Sequence, residues 1–151
     1  MYKHILIPTD GSPQSRKAVA GAVELAKLVG AKVTGIFAAP PATPIVYRDN
    51  VPVGFSMPAD HQRMIEDSAA RYLGVIEQAA KKAGVRCEVI TVTSDYPADT
   101  ILATATKKKC DLIVMATHGR RGIRGVLLGS ETQRVLTHSK IPVMVYPGSD
   151  R

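Results

Sequence analysis

The sequence predicts a single α/β domain built on a doubly wound, five-stranded parallel sheet. Short apolar runs of strand length alternate along the 151 residues with longer segments that repeat apolar side chains at helical spacing. Strand, helix and strand follow one another within about 40 residues, which is the βαβ pattern of parallel sheets. The chain length suits one domain, so 1–151 is predicted to fold as one unit.

The first βαβ unit has boundaries that the residue types mark. The first strand is predicted at 2–8, and Ser12 followed by Pro13 predicts the N-cap and the first position of a helix. Gly30 stops the helical periodicity, and the second strand is predicted at 32–39.

The segment 40–58 differs from the rest of the chain because it holds five prolines. Proline lacks a backbone donor and fixes φ, so this segment is predicted to be a long loop without a regular element of useful length. A functional lid and a plain surface connection explain such a loop equally well.

The second half of the chain repeats the alternation. Pro142 cannot donate to a strand ladder, so the last strand is expected at an edge of the sheet. In such sheets ligands bind at the carboxyl ends of the strands, where the strand order reverses. The predicted elements are a helix at 60–83, a strand at 85–92, a helix at 97–107, a strand at 111–117, a helix at 130–138 and a strand at 141–146.

Composition narrows the class of protein further. The apolar run that follows Met1 is too short for a signal peptide, and no stretch approaches the roughly 20 apolar residues of a membrane span. Cys87 and Cys110 form neither a disulfide framework nor a metal-ligand spacing. A cytoplasmic protein without a membrane partner is therefore expected.

The formal charge of +7 fits a nucleic-acid or a polyphosphate partner. Lysines 107–109 end a helix, where cations meet its dipole favourably, and no aromatic residues interleave them, so nucleic acid is the less favoured partner. His4, His61 and His138 are expected at the surface or at helix ends.

The turn after the fourth strand, from 117 to 130, carries the strongest chemical signal. Its four glycines allow backbone amides to approach a ligand, and its three arginines add positive charge. Ser130 and Gln133 fit a capping box, so a helix that starts at Ser130 would point its amino end at a phosphate. A glycine-rich connection with an ordinary serine cap is the alternative. The spacing matches neither the Walker loop nor the dinucleotide fingerprint.

The turn after the first strand, Pro8-Thr9-Asp10-Gly11-Ser12, is the second candidate. The Asp10 carboxylate could accept hydrogen bonds from a ribose hydroxyl or an exocyclic amine, or could serve the turn itself. A phosphoacceptor site of the response-regulator kind fits poorly, because the third strand leads into Thr93 and Ser94 rather than an aspartate.

Several segments together resemble the universal stress protein family, over essentially the whole chain and in the same order. They are 5–12 (ILIPTDGS), 110–115 (CDLIVM), 117–120 (THGR), 127–130 (LLGS) and 141–145 (IPVMV). The resemblance implies the strand order 3-2-1-4-5, with the Asp10 turn and the Gly119 loop facing each other across one crevice.

The resemblance also implies an adenine-nucleotide site. ATP-binding members carry Gly-x2-Gly-x9-Gly followed by Ser or Thr, and Gly119, Gly129 and Ser130 match its later positions. The resemblance places ribose and adenine near Pro8, Thr9, Asp10, the Ala38 backbone and Met115. It places the phosphates near Gly119, Gly129, Ser130, Glu131 and Thr132, and Ala116 near the ribose or the first phosphate. Arg120 adds positive charge to this site. His118 stands at the mouth of the crevice, where contact with phosphate and a ring satisfied by the backbone are equally good explanations.

Ala116 departs from the motif, because it stands where the first glycine is expected. If φ at this position is negative, alanine fits with a small local shift. If φ is positive, alanine is strained by roughly 1–2 kcal/mol. Binding is expected to be weakened or retained rather than abolished.

The resemblance implies a stress-response protein that binds ATP, ADP or AMP, with or without magnesium, and acts as a sensor or regulator. It also implies a homodimer joined through the fifth strand. A slow ATPase, or a nucleotidyl or phosphoryl transferase, is one alternative, for which only Asp10 and Glu131 supply carboxylates. A dimeric interaction module without nucleotide is the other, and Ala116 is its only support.

Overall fold

A computed structural model of the chain describes residues 1–41, 58–118 and 128–147, together with the backbone of 46–48 and 51–54. The elements in chain order are β1 (His4–Pro8), α1 (Pro13–Val29), β2 (Lys32–Ala39), β3 (Val46–Arg48), β4 (Val51–Gly54), α2 (Pro58–Ala83), β5 (Cys87–Thr93), α3 (Pro97–Lys107), β6 (Leu112–Ala116), α4 (Ser130–His138) and β7 (Val143–Tyr146).

Five of these strands form one parallel sheet in the order β5-β2-β1-β6-β7. Counted along this sheet, the order is 3-2-1-4-5, which confirms the predicted architecture. The chain moves from β1 outward to β5 on one side and from β6 outward to β7 on the other. The strand order therefore reverses between β1 and β6. β7 pairs with β6 alone in the described part of the chain, so the edge position inferred from Pro142 is confirmed.

Alternate residues of the central strands build two cores, one on each face of the sheet. Ile5 and Ile7 pack under α1 and α2. Leu6 and Ile113 point the other way and pack under α3 and α4. This alternation explains why the central strands are apolar at nearly every position.

The Pro-rich segment differs from the expected loop, because it contains a short antiparallel pair. β3 and β4 pair from Val46↔Gly54 to Arg48↔Val51, with an irregular register next to Tyr47. Pro52 lies within this pair, opposite Tyr47. A two-stranded ladder tolerates proline because each strand has one edge that needs no donor.

Of the histidines expected at the surface or at helix ends, His4 is instead buried within β1, and His61, which does lie in the first turn of α2, is buried as well. His4 has its Nε2 atom 2.6 Å from Thr34 Oγ1, and its Nδ1 atom lies 3.1 Å from the Lys108 carbonyl. Burial is the main cause that lowers the pKa of His4, and the nearby Lys32 charge adds to it. His61 Nε2 donates to the Pro40 carbonyl at 2.9 Å. Buried rings are tolerated here because their nitrogens find partners.

The cysteines are both free thiols. Cys110 is buried and Cys87 is half-buried against the core. Burial raises the pKa of each thiol to about 11, so both are protonated and unreactive at neutral pH. No helix in the described part of the chain is long and apolar enough to cross a membrane.

Two helical glycines provide a matched test of how α1 packs. A Cβ at Gly21 in α1 would overlap the phenol ring of Tyr146 on β7, whereas a Cβ at Gly74 in α2 meets nothing within 4 Å. Gly74→Ala should raise the free energy of unfolding by about 0.5–1 kcal/mol through helix propensity. Gly21→Ala should lower it by about 1–3 kcal/mol, because overpacking outweighs that gain.

Urea unfolding followed by circular dichroism measures both values. Equal stabilisation by the two alanines would show that the Tyr146 ring does not fill the space beside Gly21.

Candidate functional site

The candidate site lies at the carboxyl ends of β1 and β6, where the strand order reverses. β1 and β6 pair at Leu6↔Ile113. Because the two strands are parallel neighbours, the turn after β1 and the exit of β6 leave the sheet at the same edge. This is where a doubly wound sheet is expected to form a ligand crevice, with these two segments as its walls.

The turn after β1 is held by hydrogen bonds within itself. Asp10 Oδ1 accepts from the Ser12 amide at 2.9 Å, and Ser12 Oγ accepts from the Ser15 amide at 3.2 Å. Ser12 is thus the N-cap of α1, as predicted, with Pro13 at the first helical position. Asp10 serves the turn with at least one of its oxygens.

Thr9 ties the same turn to the sheet. Its amide donates to the Ile36 carbonyl at 2.9 Å, which prolongs the β1–β2 ladder beyond Pro8. Its hydroxyl oxygen accepts from the Gly11 amide at 3.1 Å and lies 3.2 Å from Ser15 Oγ. The buried Thr9 side chain therefore stabilises the turn that forms this wall of the crevice.

The opposite wall is the start of α4, which is bound to the end of β6 by two hydrogen bonds. The Gly129 amide donates to the Thr117 carbonyl at 2.7 Å. The Thr132 hydroxyl, which is buried, donates to the Ala116 carbonyl at 2.9 Å. These bonds fix the first turn of α4 beside the crevice.

The helix starts at Ser130 as predicted, but the predicted capping box is wrong. Gly129 is the N-cap, with φ −67° and ψ 156°, and among the described residues no side chain makes a cap hydrogen bond at this end of α4. The Gly129 carbonyl accepts from the Gln133 amide at 2.9 Å, so Ser130 stands one position inside the helix and is exposed. Because the cap has no side chain, the first amides of α4 remain available to an anion.

Glu131 belongs to the same first turn, but its carboxylate is engaged elsewhere. Its Oε2 atom accepts from the Ala98 amide at 2.9 Å, at the start of α3, where the N-cap Tyr96 makes no side-chain cap bond. A carboxylate at a helix amino end is favourable for that helix. Only the backbone amide of Glu131 is therefore placed to meet a phosphate.

His118 carries an unsatisfied polar atom at the mouth of the crevice. Its Nδ1 atom lies 3.2 Å from Thr117 Oγ1, while its buried Nε2 atom has no hydrogen-bond partner in the described part of the chain. Leaving such an atom unpaired costs about 1–3 kcal/mol, which a ligand oxygen would recover.

Ala38 lies at the same end of the sheet as the turn after β1, because it is close to the carboxyl end of β2. Ile36 points its carbonyl at β1, and Ala39 points its carbonyl at Ser94 after β5. Because the direction alternates along a strand, the Ala38 backbone faces the β1 side, beyond the last residues that β1 pairs. The Met115 side chain, by contrast, packs into the core under α3 and α4.

Ala116 is not strained. It lies within β6, paired with Tyr146, and among the described residues only Lys109 combines a side chain with positive φ. The φ angle of Ala116 is therefore not positive, and alanine causes no backbone strain at the position of the motif's first glycine.

Gly119 and Arg120 lie outside the described residues, as does the rest of 119–127. Within the described ranges no three His, Cys, Asp or Glu side chains come together as a metal site. The arrangement that is described offers helix amides, a backbone edge at Ala38 and one unpaired imidazole nitrogen. These groups suit a ligand with phosphate oxygens and a hydrogen-bonding base.

The fold is a doubly wound α/β sheet with the amino end of α4 beside the point where the strand order reverses. The universal stress protein family model matches residues 1–147, and the chain belongs to this family. Universal stress protein MJ0531 of Methanocaldococcus jannaschii is 33% identical over an alignment of 150 residues. The match covers 96% of this chain and 82% of that protein.

Solved structures agree with the fold. The structure of MJ0577 superposes with a TM-score of 0.81 at 22% identity, covering 100% of this chain and 99% of that chain. A universal stress protein in complex with cAMP superposes with a TM-score of 0.68 at 25% identity, covering 98% of this chain and 99% of that chain.

Tyr72 is a residue of the site region that the sequence did not indicate. Its ring lies against Gly11, where a Cβ would overlap it. Phe37 meets the Tyr72 ring edge-on, with centroids 5.2 Å apart. No local pattern links a tyrosine on the second helix to a turn sixty residues earlier, so this contact needed the structure.

Gly11 and Gly30 test this contact as a matched pair, because both have positive φ, at 78° and 74°. Gly30 has nothing within 4 Å of its missing Cβ, whereas Gly11 has the Tyr72 ring. Gly30→Ala should lower the free energy of unfolding by about 1–2 kcal/mol, the cost of the left-handed conformation. Gly11→Ala should lower it by about 1–3 kcal/mol more, because the ring must move.

Chemical denaturation provides both values. If the two substitutions cost the same, Tyr72 does not support the turn.

Proposed function

We propose that this protein binds an adenine nucleotide in the crevice between β1 and β6. Ribose and adenine lie against Pro8–Asp10 and the Ala38 backbone, and the phosphates lie at the start of α4. The single observation that carries the proposal is the uncapped amino end of α4, which two hydrogen bonds hold beside Ala116 and Thr117. Such an end attracts phosphate through free amides and the helix dipole.

Two further features support the placement of the ligand. His118 Nε2 is buried without a partner among the described residues, at the same end of β6. Ala38 directs backbone groups toward the space beyond β1, where they match the paired donor and acceptor of an adenine edge. The related universal stress protein that was solved with cAMP makes an adenine nucleotide the first ligand to test.

We propose ATP, ADP or AMP as the nucleotide, with or without a magnesium ion held by the phosphates. Magnesium often retains waters and binds through phosphates with one or two carboxylates. Asp10 and Glu131 are the nearby carboxylates, and each already accepts a backbone amide. Their engagement favours a sensor or regulator of the stress response over an efficient ATPase, which needs free groups for metal and water.

Ser130 provides the sharpest test, because it is exposed in the first turn of α4. Ser130→Asp adds a negative charge at a helix amino end, which should preserve or raise the melting temperature. The same charge should repel phosphate and weaken ATP binding by about tenfold or more. Ser130→Ala, the matched control without charge, should bind within about threefold of the wild type. Isothermal titration calorimetry with Mg-ATP measures the affinity of the wild type and of both variants, and thermal unfolding gives the melting temperatures.

Nucleotide released by denaturing the purified protein, analysed by chromatography, completes this test. Wild-type protein that is empty and gives no heat with ATP would refute the proposal. Binding by Ala116→Gly alone would instead show that the alanine has abolished an ancestral site. Equal binding by Ser130→Asp and the wild type would place the phosphates elsewhere. Steady phosphate release would favour the ATPase alternative.

We further propose a homodimer joined through the outer edge of β7, as expected for the fifth strand of the sheet. Pro142 and Tyr146 point their carbonyls at β6, accepting from Ile113 and Thr117. By alternation, Val143 and Val145 direct their backbone groups to the outer edge. That edge pairs with no strand among the described residues, and a second copy could pair with it. A location in the cytoplasm stays a prediction.

Val145→Pro removes an outward amide without touching the β6 ladder, because proline is tolerated at such an edge position. Sedimentation should find a dimer for the wild type and for Val145→Thr, and a monomer for Val145→Pro. A monomeric wild type, or a dimer that survives the proline, would contradict pairing through β7.

A further inference from the structure

A second concave site lies between α1 and α2, on the far side of the Pro8–Ser12 turn from α4. Thr9 and Gly11 close one end of this cavity, and the buried Val19 and half-buried Val75 supply apolar lining. It shares no helix with the start of α4. We call it the α1/α2 cavity.

Two arginines give the α1/α2 cavity its charge. Arg16 comes from the first turn of α1 and Arg71 from the middle of α2, and both of these exposed residues line the cavity. No carboxylate is among the described residues that line it. The first turn of α1 holds no acidic residue either, so the positive helix end adds to the field.

Neither guanidinium is neutralised by an ion pair within the described residues. Arg63, which lies on α2 like Arg71, does form an ion pair, because its Nη2 atom lies 2.7 Å from Asp60 Oδ1. Arg71 instead rests over the ring of Tyr72, with its Cζ atom 5.6 Å from the ring centroid. This contact uses the face of the guanidinium and leaves its N–H edge to other partners, and no ion pair engages that edge in the described part of the chain.

The size of the α1/α2 cavity limits what it can hold. Its volume is about 120 Å³, which is several times the space that one water needs. Cofactor and drug-sized pockets are larger, about 300–1,000 Å³. A phosphate or a small dicarboxylate fits, and a nucleotide does not.

We propose that the α1/α2 cavity binds a small anion, a phosphate or a dicarboxylate, between the guanidinium groups of Arg16 and Arg71. Two arginines on different helices that line one cavity supply the forked N–H donors that recognise planar or tetrahedral oxyanions. Val19 and Val75 offer contact to a short apolar portion of the ligand. The cavity shares Thr9 with the wall of the proposed nucleotide crevice, but its arginines belong to α1 and α2 and not to the start of α4.

The probes are inorganic phosphate and malonate, each titrated into the full-length 15N-labelled protein without nucleotide. Sodium chloride at equal ionic strength is the reference, because it reports general screening. We expect saturable shifts of the Gly11 and Val75 amides with a dissociation constant on the order of millimolar. The probe that saturates at the lower concentration identifies the ligand as a phosphate or a dicarboxylate.

Substitutions on the two helices test the assignment. Arg16→Gln and Arg71→Gln should each weaken binding about fivefold or more, and Arg71→Lys should fall between Arg71→Gln and the wild type. Arg63→Gln removes the same charge from α2 outside the cavity, so it should bind within about twofold of the wild type.

Two results would overturn the assignment. One is the absence of saturable shifts with either probe up to about 50 mM, beyond those that chloride produces. The other is an equal loss of affinity in Arg63→Gln, which would mean that the anion follows net charge. Neither result bears on ATP binding in the crevice, which the Ser130 variants test separately.

Discussion

Two hydrogen bonds join the start of α4 to the end of β6, and the geometry of the site depends on them. The Thr132 hydroxyl bonds to the Ala116 carbonyl, and the Gly129 amide bonds to the Thr117 carbonyl. Because β6 borders β1 at the point where the strand order reverses, these bonds fix a helix amino end beside the crevice. The cap of that helix is a glycine, so no side chain of the cap competes with an anion for its amides.

The opposite wall is rigid for a different reason. The side chains of Thr9, Asp10 and Ser12 accept from the amides of Gly11, Ser12 and Ser15, and the ring of Tyr72 lies against Gly11. The turn therefore makes contacts on two sides. Its inner side faces the crevice, and Gly11 lies against the Tyr72 ring of α2. This arrangement explains why an Asp-Gly turn, common in itself, is held in one conformation. Arg16 and Arg71 line one cavity together with Thr9, which belongs to the proposed nucleotide site.

Much of this could be predicted from the sequence. Periodicity and glycine punctuation located every strand of the main sheet and all four helices to within a few residues, and the family resemblance supplied the strand order. The errors have physical causes. His4 and His61 are buried because distant groups, Thr34 and Pro40, satisfy their rings. The N-cap of α4 is Gly129, one residue before the predicted Ser130, because the Gly129 amide bonds to the Thr117 carbonyl. Neither cause is visible in local sequence.

The central claim is that nucleotide phosphates rest on the first amides of α4. Amide hydrogen exchange at Ser130, Glu131 and Thr132, read by NMR with and without saturating Mg-ATP, tests it most directly. The account predicts that ATP slows exchange of at least two of these amides by about tenfold or more, while Lys27 and Lys107, at the far ends of α1 and α3, keep their rates. Unchanged exchange at all three amides, in protein shown by calorimetry to be saturated with ATP, would contradict it.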